Sequence, residues 1–109
     1  MKSWQIDDFI RSDRNLSNAV ERAKSVFEEV LGAKSQSVDA QWKLSELHGK
    51  RVLELTISDW RWPKGVQSVF DPSDLESRSE MRSRFGILWG DLLQQWSHQL
   101  IGELLKEAV

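Results

Sequence analysis

Residues 38–57, VDAQWKLSELHGKRVLELTI, decide the fold. Apolar side chains alternate as Val38, Ala40, Trp42 and Leu44, and again, past His48-Gly49, as Leu53, Leu55 and Ile57. With His48-Gly49 as the turn, Leu44 faces Leu53, Trp42 faces Leu55 and Ala40 faces Ile57, all on one side. The same register sets Lys43 against Glu54 on the other side, and Glu46 against Arg51. Period-2 alternation, a glycine turn and complementary cross-strand charges agree on one hairpin, with strands over residues 37–47 and 50–58. Its second face (Gln41, Lys43, Ser45, Val52, Glu54, Thr56) is mostly polar, so helices are expected on the first face only.

Working outward, residues 13–31 place Leu16, Val20, Ala23, Phe27, Val30 and Leu31 on one narrow helical stripe, with Glu21, Arg22, Glu28 and Glu29 largely outside it. Gly32 supplies the left-handed residue that closes such a helix. Residues 3–11 carry Trp4, Ile6, Phe9 and Ile10 between charges, and read as one or two helical turns or a lead-in to the helix. Beyond the hairpin, Asp59-Trp60-Arg61-Trp62-Pro63-Lys64-Gly65 is rich in turn formers, and residues 66–70 form a third strand. Asp71-Pro72-Ser73-Asp74 is a helix start, capped by Asp71 or Ser73. From there to Ala108 the pattern is one long helix, its section around residues 75–78 being a possible separate turn.

At about 100° per residue, Met81, Phe85, Leu88, Trp89, Leu92 and Trp96 share one face of that helix. Leu100, Ile101, Leu104, Leu105 and Ala108 centre further round. The first arc should pack on the hairpin. The second should be buried by the N-terminal helix or by a second copy of the chain. Gly86, Gly90 and Ser97, at spacings of four and seven, would let another backbone approach, the chain's own first helix being preferred over a dimer seam. The expected fold is therefore a single α+β domain over residues 1–109, two-layered, α-β-β-β-α. An antiparallel three-strand meander carries the N-terminal helix and the long C-terminal helix on one face.

Composition narrows the function classes. The 109 residues suit one domain with one core. A net charge of −2 argues against a nucleic-acid binder. The absence of cysteine removes disulfides and thiolate metal sites. The N-terminus turns acidic at Asp7-Asp8 where a signal peptide needs an apolar run, and no stretch nears the roughly 20 apolar residues that span a bilayer. A cytoplasmic location without membrane attachment is the default expectation.

Chemistry-bearing patterns are sparse. His48 falls in the turn, where a polar residue tolerates unusual φ. His98 has Asp91 on its side of the helix but no second histidine at i±4, so no metal or other cofactor is expected. No Gly-x-Ser-x-Gly elbow or Gly-rich phosphate loop exists, and Asp7-Asp8 and Glu28-Glu29 diverge on solvated faces. Arg78, Arg82 and Arg84 are interleaved with Glu76 and Glu80, and Glu80 to Arg84 is the favourable order for a helical ion pair.

Trp60-Arg61-Trp62 stands apart. The chain has six tryptophans and no tyrosine, and two of them flank an arginine in a loop, the residue types enriched in binding hot spots. The expected function is a small non-enzymatic protein- or peptide-interaction module, adaptor or chaperone-like, binding through Trp60, Arg61 and Trp62 and the adjacent sheet edge. The alternative is a small-molecule-binding domain with a pocket lined by Trp42, Leu55, Phe85 and Trp89. The chain is expected to be a monomer or a homodimer through its C-terminal helix. Small secretion-type and stress-linked chaperones are loosely similar in element order, at the level of fold alone.

Overall fold

The computed structural model describes residues 3–107. The elements are β1 (Ser3–Ile6), α1 (Asp8–Arg11), α2 (Arg14–Leu31), a 3-10 segment (Gly32–Ser37), β2 (Asp39–Leu47), β3 (Lys50–Ser58), β4 (Val66–Phe70), a 3-10 turn (Pro72–Glu76) and α3 (Arg78–Glu107). The sheet order is β1-β2-β3-β4. The hairpin has the register read from the sequence: Leu44 opposite Leu53, Trp42 opposite Leu55, Ala40 opposite Ile57, Lys43 opposite Glu54 and Glu46 opposite Arg51. His48 (φ 51°) and Gly49 (φ 76°) both adopt the left-handed backbone that a tight hairpin turn requires.

The sheet has four strands, not three. Ser3–Ile6, read as helical turns or a lead-in, is a strand lying parallel to β2, with Trp4 beside Ala40 and Ile6 beside Trp42. Asp7 then ends it. Its backbone N–H donates to the Trp42 carbonyl (3.1 Å), and its carboxylate accepts from the N–H groups of Ile10 (2.9 Å) and Leu44 (2.8 Å). One carboxylate thus caps the single-turn α1 and pins it to β2. Asp7 is structural rather than part of a solvated acidic pair.

α2 starts at Asp13, whose side chain accepts from the N–H groups of Asn15 (3.0 Å) and Leu16 (3.2 Å). It buries Leu16, Ala19, Val20, Ala23, Val26, Phe27 and Leu31. At its end Gly32 has the expected positive φ, 60°. Between the sheet and α3, five aromatic rings close a cycle: Trp4–Phe27–Phe85–Phe70–Trp42–Trp4, with centroids 5.4–5.7 Å apart. These distances are those of favourable edge and tilted contacts. Trp42, Leu55 and Phe85 have no exposed surface, so rings fill the space that a pocket there would need. Among the described residues the buried indole N–H groups of Trp4 and Trp42 find no acceptor, a cost of about 1–3 kcal/mol each that the ring burial outweighs.

Asp71 caps the turn that precedes α3, accepting from the Ser73 N–H (3.1 Å) while its own N–H donates to Asp74 (2.9 Å). Ser77 is extended (φ −104°, ψ 115°), so the turn and α3 are separate elements. Met81, Phe85, Leu88 and Leu92 are buried, as the first arc of the wheel requires. The second arc is not covered by α2: Leu100, Ile101, Leu104 and Leu105 are 41%, 53%, 56% and 63% exposed, and Ala108 lies outside the described residues. A Cβ placed on Gly86 or Gly90 would meet nothing within 4 Å, so among the described residues no neighbouring backbone uses those glycines. The reason is length. The sheet supports α3 only through its first half, and α2 crosses that same half, pairing its Glu29 with Arg78 and Arg82. The arginine cluster is ion-paired, but not within the helix: Arg84 bonds Asp74 at 2.8 Å rather than Glu80.

Candidate functional site

The segment Asp59–Gly65 joins β3 to β4, and its shape is set by a residue the sequence reading passed over. Asp59 follows the last residue of β3, and its side chain is fully buried. Oδ1 accepts from the N–H groups of Arg61 (2.9 Å) and Trp62 (3.0 Å), and Oδ2 accepts from Nε (2.9 Å) and Nη2 (2.7 Å) of Arg61. The Asp59 carbonyl also accepts from Trp62 N–H (3.2 Å), and the Trp62 carbonyl accepts from Gly65 N–H (3.1 Å). The loop is therefore wound around one carboxylate, and the charge-assisted bonds make it rigid. Gly65 closes it with φ 77°, and a Cβ there would lie 2.8 Å from the Ile57 carbonyl oxygen. Only glycine fits both the conformation and the approach.

Arg61 is turned inward. Its side chain is 15% exposed, and the guanidinium carbon lies 5.8 Å from the Trp60 ring centroid, 5.8 Å from Trp89 and 5.2 Å from Trp96. These are cation–π distances. Asp59 accepts from Nε and Nη2 of this arginine and three indoles surround it, so Arg61 organises the loop. Trp89 and Trp96, read as sheet-facing, are half-buried and form the α3 side of this box. The wheel gives their face correctly: Trp89 packs on the core and also borders the loop, whereas Trp96, beyond Leu92, meets the loop.

The two loop tryptophans have different fates. Trp60 is 74% exposed. Trp62 is half-buried, packed on the core, with the Lys64 ammonium 5.7 Å from its ring. Beside Trp62, an open groove of ≈ 680 Å³ runs between loop and helix, lined by Trp62, Pro63, Lys64, Gln95, His98 and Gln99. Its lining has an aromatic wall, two side-chain amides, an amine and an imidazole, with no carboxylate, hydroxyl or thiol. Among the described residues no three histidine, aspartate or glutamate side chains converge on a metal-sized space, and no helix is long and apolar enough to cross a membrane.

The sheet edge beside the loop is β4, which pairs only with β3. Arg84 partly closes it. The guanidinium lies 4.1 Å from the Phe70 ring centroid and donates to the Val69 carbonyl and to Ser68 Oγ (3.0 Å). An incoming strand would have to displace that contact at Val69, so the loop end of β4 is the freer part.

No protein-family model, curated protein or solved structure matches this chain.

Proposed function

We propose that this chain is a non-enzymatic protein- or peptide-interaction module, with Trp60 as the anchor and the Trp62 groove as the adjoining subsite. The observation that carries this reading is a rigid loop whose interior is satisfied by Asp59 and Arg61 while the Trp60 ring stands 74% in solvent. Apolar area left in water forgoes about 25 cal/mol per Å², so a ring held there by a preorganised scaffold has its energy available for a partner. Tryptophan at the centre of such a patch is the commonest kind of interface hot spot. Arg61, expected to be a contact residue, serves in this reading as the support of the anchor.

The groove lining suits an extended segment that lays an apolar side chain on Trp62 and presents backbone carbonyls or a carboxylate to Gln95, Gln99, Lys64 and His98. A catalytic reading has less support, since the lining provides no nucleophile–base pair. The test is a display library of random peptides panned on the folded protein, with hits remeasured by fluorescence anisotropy. Retained peptides should lose at least tenfold in affinity with Trp60→Ala, while the melting temperature of that variant stays unchanged. A library that yields no binder, or binders indifferent to both Trp60→Ala and Lys64→Ala, would overturn the proposal.

A further inference from the structure

The distal half of α3 has a solvent-facing apolar surface, and what would cover it is written into the proximal half of the same helix. Gly86, Gly90, Leu93, Ser97, Leu100 and Leu104 follow one another at spacings of four, three, four, three and four. That is the a/d pattern of a coiled-coil seam. On the helical wheel they occupy one arc, extended by Ile87, Ile101 and Leu105 to about 140°, and no charged residue between Ser83 and Leu105 falls within it. Large and small positions are segregated: glycines at the start, leucines at the end. The glycine end is open, since a Cβ at Gly86 or Gly90 would meet nothing within 4 Å. The leucine end is open too, with Leu100 41% and Leu104 56% exposed.

We infer that this seam is an isologous interface with a second copy of the chain, the two α3 helices running antiparallel about a twofold axis at the level of residue 95. In that register Gly86 faces Leu104 of the other copy, Gly90 faces Leu100, and Leu93 faces Ser97. Each pair is one large and one small side chain, and the residue numbers of each pair sum to the same value, which is the condition for a twofold axis. A parallel pairing would instead set leucine on leucine at one end and leave a gap between glycines at the other. The pairing also accounts for the length of α3, which continues past the sheet far enough to lie along a second domain.

Helices paired over residues 86–104 run together for about 27 Å and bury on the order of 1,000 Å² in total, the lower bound for a specific complex. Area alone does not fix the affinity, so the association is to be read as a dependence of mass on concentration. This surface is separate from the Trp60 anchor, and its test does not depend on a peptide partner.

Sedimentation equilibrium of the full chain from about 1 to 300 μM should show the mass rising from 12.7 kDa toward twice that value. Leu104→Lys should hold it at 12.7 kDa with an unchanged circular-dichroism melt at low concentration, because Leu104 is exposed in the single chain. The chain has no cysteine, so register can be read by oxidation of single-cysteine variants. Gly86→Cys mixed with Leu104→Cys should give the mixed disulfide at least tenfold over either homodisulfide, since like positions lie about 27 Å apart in the antiparallel pair. A monomer at every concentration, a dimer indifferent to Leu104→Lys, or homodisulfides from the separate variants would each overturn the inference.

Discussion

Replacing Asp59 with alanine tests whether the β3–β4 loop is held by one carboxylate. The substitution removes a fully buried side chain that accepts from two backbone N–H groups and from Nε and Nη2 of Arg61. Trp62 N–H keeps the Asp59 carbonyl at 3.2 Å, so only the Arg61 N–H loses its sole acceptor. The larger loss is at the guanidinium, left among three indole rings with no anion on a side chain that is 15% exposed in the parent. Breaking a buried pair by removing one partner costs about 3–5 kcal/mol. The rings and the remaining exposure of Arg61 offset part of that, placing the expected loss near 3 kcal/mol. For a domain of this size that is a fall of roughly 10–20 °C in melting temperature. Asp59→Asn keeps Oδ1 as acceptor for the two backbone N–H groups but turns an amide N–H toward the Nε and Nη2 donors of Arg61, so it also loses the ion pair and should cost about 2–4 kcal/mol. Urea melts followed by far-UV circular dichroism and by tryptophan fluorescence give both numbers. An Asp59→Ala protein within about 1 kcal/mol of the parent would refute the account of the loop.

The remaining expectations are simpler. Leu55→Ala truncates a side chain with no exposed surface in the sheet centre and should cost about 2–5 kcal/mol in a urea melt. Gly65→Ala forces a Cβ to 2.8 Å from the Ile57 carbonyl at φ 77° and should destabilise by about 1–3 kcal/mol. Trp60→Ala should leave the melt within about 1 kcal/mol, whereas Trp62→Ala, which strips a ring packed on the core, should exceed that. The Ser73 N–H and hydroxyl hold the Asp71 carboxyl below its ordinary value. A depressed folded-state value contributes stability at neutral pH that is lost as pH falls through it. Asp71→Asn should therefore melt lower than the parent at pH 7, and the two curves should converge below the ordinary aspartate range.

Local patterns were legible and convergent ones were not. The hairpin could be read because alternation, turn and cross-strand charge all lie within one stretch of sequence. β1 could not: only Trp4 and Ile6 mark it, and its partner β2 is more than thirty residues away with no turn between them to declare the pairing. Trp60 and Trp62 were conspicuous by type, but their division into exposed and packed follows from Asp59, a lone acid beside a strand end that gives no local sign of burial. Trp96 had the right face and the wrong neighbour, because a wheel reports direction and not what lies there. The same limit applied to Leu100–Leu105. Their change of face was visible, and the absence of a helix to meet them was a matter of where α2 crosses.

The aromatic cycle has a consequence for synthesis. Its members come from β1, β2, β4, α2 and α3, and the last ring to be made is Phe85. At about 5–20 residues per second, the forty-odd residues from Trp42 to Phe85 occupy the ribosome for roughly 2–9 s. Until Phe70 is made Trp42 lacks one of its ring neighbours, and until Phe85 is made Phe27 lacks one of its own, so the nascent hairpin has its apolar side turned to water. The cycle is complete only once Phe85 is made, and the seconds before that are when its apolar side most needs protection from its neighbours.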